Sequence, residues 1–171
     1  MKELFVYYAR CNAEIDSRML SLLEERVDEQ MTVPLSGYFF KTLGELLEHI
    51  YVANANWMSA FVGVADHGID LTEVIGPLPK YGEKVFGSFA EYTAAQRRLD
   101  EVIVRYCEAL TDEDLNAVLS RKRRNGETTS KVVWKALLHF FNHQTHHRGQ
   151  VSCILDEMGI ENDYSNMIFI E

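Results

Sequence analysis

The chain has 171 residues, 47% of them apolar and 25% charged, the balance of one soluble globular domain with a sizeable core. Its formal net charge is −9, from 26 acidic and 17 basic residues, which argues against a nucleic-acid partner because phosphate binding needs clustered Lys and Arg. No stretch approaches the roughly 20 apolar residues that cross a bilayer. The opening MKELFVYYARCNAE turns polar too soon for a signal peptide, so a cytoplasmic protein without membrane contact is expected.

The first predicted helix runs from Leu4 to Asp28, with Phe5, Tyr8, Ile15, Met19, Leu22 and Leu23 at mostly three- and four-residue spacing. Met31-Thr-Val-Pro-Leu-Ser-Gly37 breaks it. The second helix begins near Thr42, where Thr42-Leu-Gly-Glu45 reads as a capping box with Glu45 reaching back to the Thr42 amide, and it runs to Val64. The segment from Asp66 to Gly87 holds two of the three prolines and four glycines and is expected to be a loop. Ser88-Phe-Ala-Glu91 is a second capping box and starts a third helix, which continues to Leu110.

Ala117–Arg123 and Glu127–Thr129 flank Asn125-Gly126, a pair suited to a type I′ turn, so a short β-hairpin is expected there. Its tip carries the basic run Arg121-Lys122-Arg123-Arg124, read as a solvated tip. The fourth helix is expected from Ser130 to just before Gly159, and the apolar tail Met167-Ile-Phe-Ile170 should pack back on the helices. These elements predict a mainly α, antiparallel four-helix bundle spanning residues 1–171, with a long connection between the second and third helices. Cys11, Cys107 and Cys153 are odd in number, widely spaced and in apolar helical patterns, so they read as buried reduced thiols.

The chemistry sits in the histidines. The fourth helix carries His139, His143, His146 and His147, and the second carries His49. Residues four apart on a helix differ by about 40° in direction and about 6 Å in height, so His143 and His147 can converge on one ion. His139 and His143 have the same spacing, and spacing alone leaves both pairs open. His146 points about 100° away from His147 and reads as a surface or supporting residue. Two ligands do not complete a site, and His49 is the available third. Three imidazoles leave a coordination position open, the arrangement of a catalytic rather than a structural zinc site. Glu45, one turn before His49, is the candidate catalytic base or ligand-orienting residue, although its capping role accounts for it equally well. Ala53 leaves room beside His49, and Trp57 reads as a core aromatic or a pocket wall. Arg148 is read first as the partner of an acid on a neighbouring helix and second as a carboxylate binder, and Gly149 as a point of close helix approach. Asn142 is a candidate hydrogen-bonding neighbour of His143.

Asn142-His-Gln-Thr-His-His-Arg-Gly-Gln150 resembles the Asn-His-x-x-x-His-Arg-Gly-Gln signature of the DinB/YfiT-like family of metal-dependent proteins. His49 with Trp57 eight residues on resembles that family's second-helix motif, and Tyr8-Ala-Arg-Cys-Asn12 its Tyr-x-x-x-Asn pattern. The resemblance implies a divalent metal, zinc or nickel, on His49, His143 and His147, and so chooses the register against His139. It further implies a small-molecule substrate, with a low-molecular-weight thiol activated at the metal as in the family's S-transferases and thiol-dependent isomerase, and a homodimer. Hydrolysis by activated water is a second chemistry, and a non-catalytic, metal-stabilised dimer with a stress-response binding role is the alternative function.

Overall fold

The computed structural model describes residues 1–26, 31–122 and 126–170. It is mainly helical. The long helices are α1 (Lys2–Arg26), α2 (Leu43–Val62), α4 (Phe89–Ala109) and α6 (Val133–Glu157). Short α3 (Leu71–Ile75) and α5 (Asp112–Asn116) and the strands β1 (Val118–Lys122) and β2 (Thr128–Val132) fill the connections. α1 packs on α4 and α6, and α2 packs on the same two helices, so the four long helices enclose one core. Phe5, Leu20, Leu43, Phe61, Leu99, Tyr106, Phe140 and Leu155 are wholly buried in it. Burying one Leu or Phe contributes about 1.5–3 kcal/mol, so this shared core, rather than helix propensity, holds the elements together.

Both helix starts expected from capping boxes form, with one change. The Thr42 and Ser88 hydroxyl oxygens accept from the Glu45 and Glu91 amides at 3.1 and 3.2 Å. The two glutamates, however, accept from the residue before the cap. Glu45 Oε2 takes the Lys41 N–H at 2.8 Å and Glu91 Oε2 the Gly87 N–H at 2.8 Å. The carboxylates thereby tie down the incoming chain as well as the first turn.

Two short helices are present where irregular chain was expected. α3 interrupts the 66–87 loop, capped by Asp70, whose carboxylate accepts from the Thr72 amide at 2.9 Å. α5 is closed by a reciprocal Thr111–Asp114 capping box. At the other boundary the sequence reading placed α6 too early. Ser130, Lys131 and Val132 belong to β2, whose register pairs Ser120 with Ser130 and Val118 with Val132. The β-branched Thr128, Thr129 and Val132 favour the pleated ladder, and the serine hydroxyls meet across it at 2.8 Å. α6 then begins without a side-chain cap, and the Val133 N–H donates to the Ala117 carbonyl at 3.0 Å. The end of the first predicted helix at Asp28, Asn125 of the expected turn, Arg123 and Arg124 lie outside the described residues.

α6 ends as expected at Gly159, where φ is +70° and the Ile160 N–H donates to the Leu155 carbonyl at 2.9 Å. The tail packs back in part. Ile160 and Tyr164 rest on the core, and Tyr7 Oη donates to the Met167 carbonyl at 2.7 Å, whereas Ile168 is 80% exposed. Cys11 and Cys107 are buried, but Cys153 lies on the exposed face of α6, contrary to expectation. Gly149 likewise makes no close helix approach, because a Cβ built there meets nothing within 4 Å.

A polar seam crosses the core beside the histidines. Arg148 of α6 donates to Asp16 of α1 at 3.1 Å and to Asn12 Oδ1, which makes it the structural ion pair read first from the sequence. On α4, Gln96 Nε2 donates to Asp100 Oδ1 at 2.7 Å. All five side chains are buried. Burial, with the Asp16 charge adding to it, raises the Asp100 carboxyl well above the usual range. Burial also raises Asp16, against the lowering effect of Arg148.

Candidate metal centre

His49, Ala53 and Trp57 recur every four residues along α2, as His139, His143 and His147 do along α6. The two stripes meet where α2 packs on α6. His49 lies with its ring centroid 4.7 Å from that of His147 and 5.4 Å from that of His143. At the other end of the stripes Trp57 faces His139, with ring centroids 5.2 Å apart. Ala53, between them, is buried. Gln144 on the adjoining face of α6 donates to Asn54 Oδ1 at 3.2 Å, a buried polar link between the same two helices.

One nitrogen each from His49, His143 and His147 lies within 4.8 Å of the other two. His147 Nε2 and His143 Nε2 face each other at 3.0 Å. Nitrogens bound to one tetrahedral zinc at about 2.0–2.1 Å stand about 3.3 Å apart, so this pair already has nearly ligand spacing. His147 Nδ1 donates to Gln150 Oε1 at 2.6 Å. That bond places the proton on Nδ1 and leaves the Nε2 lone pair toward the cluster, the supporting contact that metal-binding histidines need. His143 Nδ1 is buried and has no hydrogen-bond partner among the described residues.

The electrostatics suit neutral ligands. Burial first, then the His147 charge, lowers His49 to about 4. Burial, then its four histidine neighbours beginning with His147, lowers His143 to about 3. Burial lowers His147 too, and the Gln150 contact works against it. Rings that refuse protons keep their lone pairs free for a cation. The donor set therefore fits a divalent ion of the zinc, nickel, copper or iron type.

The remaining sequence candidates fall outside the cluster. His139 is exposed, with its ring centroid 6.2 Å from that of His143, and His146 is exposed on the next face. Asn142 is exposed. Trp57 is half-buried, stacks on Phe61 and carries the Arg121 guanidinium 4.4 Å above its ring. Glu45 is engaged at the start of α2, but its carboxylate also borders a pocket of about 880 Å³ that opens beside His49. Sequence reasoning missed the rings Phe40 and Tyr81 of that pocket, whose centroids lie 4.8 and 6.0 Å from that of His49. It also missed Glu48, whose Oε1 accepts from the Val85 and Phe86 amides, each at 3.2 Å.

A mainly helical protein that gathers three neutral histidines from two packed helices belongs to the class with a candidate three-histidine metal centre. The chain belongs to the DinB family, whose profile matches residues 1–169. It is 23% identical over 172 residues to Protein DinB of Bacillus subtilis (strain 168), a match covering 98% of this chain and 93% of that protein. No described helix is long and apolar enough to cross a membrane.

Proposed function

We propose that the chain is an antiparallel four-helix bundle in which His49, His143 and His147 bind a divalent metal, zinc or nickel, and that it works as a metal-dependent enzyme on a low-molecular-weight thiol or on water. The observation that carries this reading is the convergence of three ring nitrogens within 4.8 Å. Membership of the DinB family supports it. A bound ion at such a site supplies Lewis acidity at the position the three imidazoles leave open.

The chain's own residues prepare that position. Gln150 fixes the tautomer and direction of His147. Phe40, with its ring near both His49 and His147, screens the cluster from water on one side. Arg148 and Asp16 anchor α6 on α1 next to His147, and Gln144 with Asn54 ties the same helix to α2. The pocket beside His49 gives a second reactant access to one edge of the cluster.

The test is elemental analysis of protein purified without chelator, where one ion per chain is expected. His147→Ala should lose it, and full occupancy in that variant would sink the assignment. Thiol chemistry is tested separately on the cobalt-loaded protein. A thiolate-to-cobalt absorption band on adding cysteine supports it, and no band at saturating cysteine rejects it.

A further inference from the structure

We propose that the pocket beside His49 is a binding site for a neutral or cationic aromatic molecule and disfavours aromatic anions. Four separate stretches build it: residues 31–42, the first half of α2, residues 81–88 and the start of α4. Its volume, about 880 Å³, is in the range that houses a small organic ligand.

The walls are fixed rather than collapsed loops. The Leu35 N–H donates to the Lys41 carbonyl at 2.7 Å and the Gly44 N–H to the Met31 carbonyl at 3.0 Å. A Cβ on Gly44 would stand 3.2 Å from that carbonyl oxygen, so a larger residue would press the seam apart by a few tenths of an ångström. Asn56 Nδ2 donates to the Pro79 carbonyl at 2.9 Å, and Glu48 holds Val85 and Phe86.

The lining has two parts. Phe40, Tyr81, Phe86 and Phe89 give it an aromatic surface. Phe86 is itself locked edge-on against Tyr51 and Tyr92, with centroids 4.8 and 5.6 Å apart. Such rings favour a flat apolar body, and their faces favour a cation. Glu45 and Glu48 supply the charge. Each uses one carboxylate oxygen to accept backbone N–H bonds, which fixes its position and leaves the second oxygen to a ligand. The other charged groups in the wall are Glu83, which Lys80 pairs at 3.4 Å, and Lys84, both exposed to solvent that screens them. Glu45 and Glu48 therefore set the sign, reinforced by a chain of net charge −9.

That this ligand is the enzyme's second reactant rests on the metal reading above, whereas the binding itself does not. The test is calorimetric titration of the whole chain, with and without zinc, using 2-naphthylmethylamine, 2-naphthylmethanol and 2-naphthoate. The amine and the alcohol should bind at least tenfold more tightly than the carboxylate. Glu45→Gln with Glu48→Gln keeps the oxygen acceptors, removes the charge and should narrow the gap to under threefold. Tyr81→Ala should weaken the amine and the alcohol about tenfold. Phe39→Ala, at a rim side chain 84% exposed, should weaken them with no risk to the fold. Naphthoate binding as tightly as the amine, no binding of the amine and alcohol below millimolar, or affinities untouched by all these variants would overturn the proposal. Failure of the chain to take up zinc, with probe binding intact, would overturn only the metal reading.

Discussion

Arg148 donates to Asp16 across the core at 3.1 Å, one residue along α6 from His147. Both side chains are 5% exposed, so neither charge has water to fall back on. Removing one member of a buried pair strands the other and costs about 3–5 kcal/mol. Asp16→Ala is expected to lose that much in urea unfolding. The double variant Asp16→Leu with Arg148→Met should recover most of it, and a double variant no more stable than Asp16→Ala alone would contradict the pair's role.

Asp100 should make the protein lose stability as the solution becomes more alkaline. Its folded pKa is raised by burial and by Asp16, so the folded carboxyl keeps its proton where the unfolded one releases it. The resulting stability is fully present below the unfolded value of 3.8 and is lost as pH rises toward the folded value. Asp100→Asn preserves the acceptor for Gln96 and removes the titration. Above pH 5 the wild type should lose up to about 1.4 kcal/mol per pH unit more than the variant, as read by urea unfolding at a series of pH values.

The histidine cluster should act in the opposite direction in metal-free protein. His49 and His143 are lowered to about 4 and about 3 from 6.5, so their contribution is present above 6.5 and is lost as pH falls toward the folded values. Metal-free wild type should therefore lose stability between pH 6.5 and 4, and His49→Gln with His143→Gln should flatten that limb. Thermal unfolding of chelated protein reads the difference, and identical limbs in wild type and variant would refute it.

The metal register is open to a simple comparison. His49→Ala, His143→Ala and His147→Ala should each abolish zinc binding, whereas His139→Ala and His146→Ala should retain it. Zinc at 100 times its dissociation constant stabilises the folded chain by about 2.7 kcal/mol, so the melting temperature shifts only where the site is intact. Loss of that shift in His139→Ala with retention in His147→Ala would reverse the assignment.

The stacking of Arg121 on Trp57 should hold the hairpin against α2. Arg121→Ala is expected to cost about 0.5–1 kcal/mol and to shift the Trp57 fluorescence. Arg121→Lys should restore only part of this, since an ammonium stacks less well than a planar guanidinium.

How much of this was legible in the sequence depended on how local the signal was. The capping boxes at Thr42 and Ser88 marked their helices because the cap is written in four consecutive residues. α3 and α5 are too short to show an apolar period and are set by the caps Asp70 and Thr111. The helical histidine spacing was readable, and the family signature over residues 142–150 made the choice between His139 and His147 that spacing alone could not. That choice depends on which end of α6 lies against His49, a matter of packing between distant elements. The exposure of Cys153 and the open space at Gly149 were hidden for the same reason. The pocket was least legible, since four stretches must meet before its walls exist.

The junction of β2 and α6 carries a mechanical consequence. The strand ends at Val132 and the helix starts at Val133, so no residue between them is free to swivel. The Val133 N–H also remains bonded to the Ala117 carbonyl at the base of the ribbon. The hairpin is thus a lever rigidly set on the helix that carries four of the clustered and flanking histidines. A tag or peptide grafted onto the ribbon would inherit a defined bearing relative to α6, whereas a glycine pair spliced between Val132 and Val133 would uncouple the two.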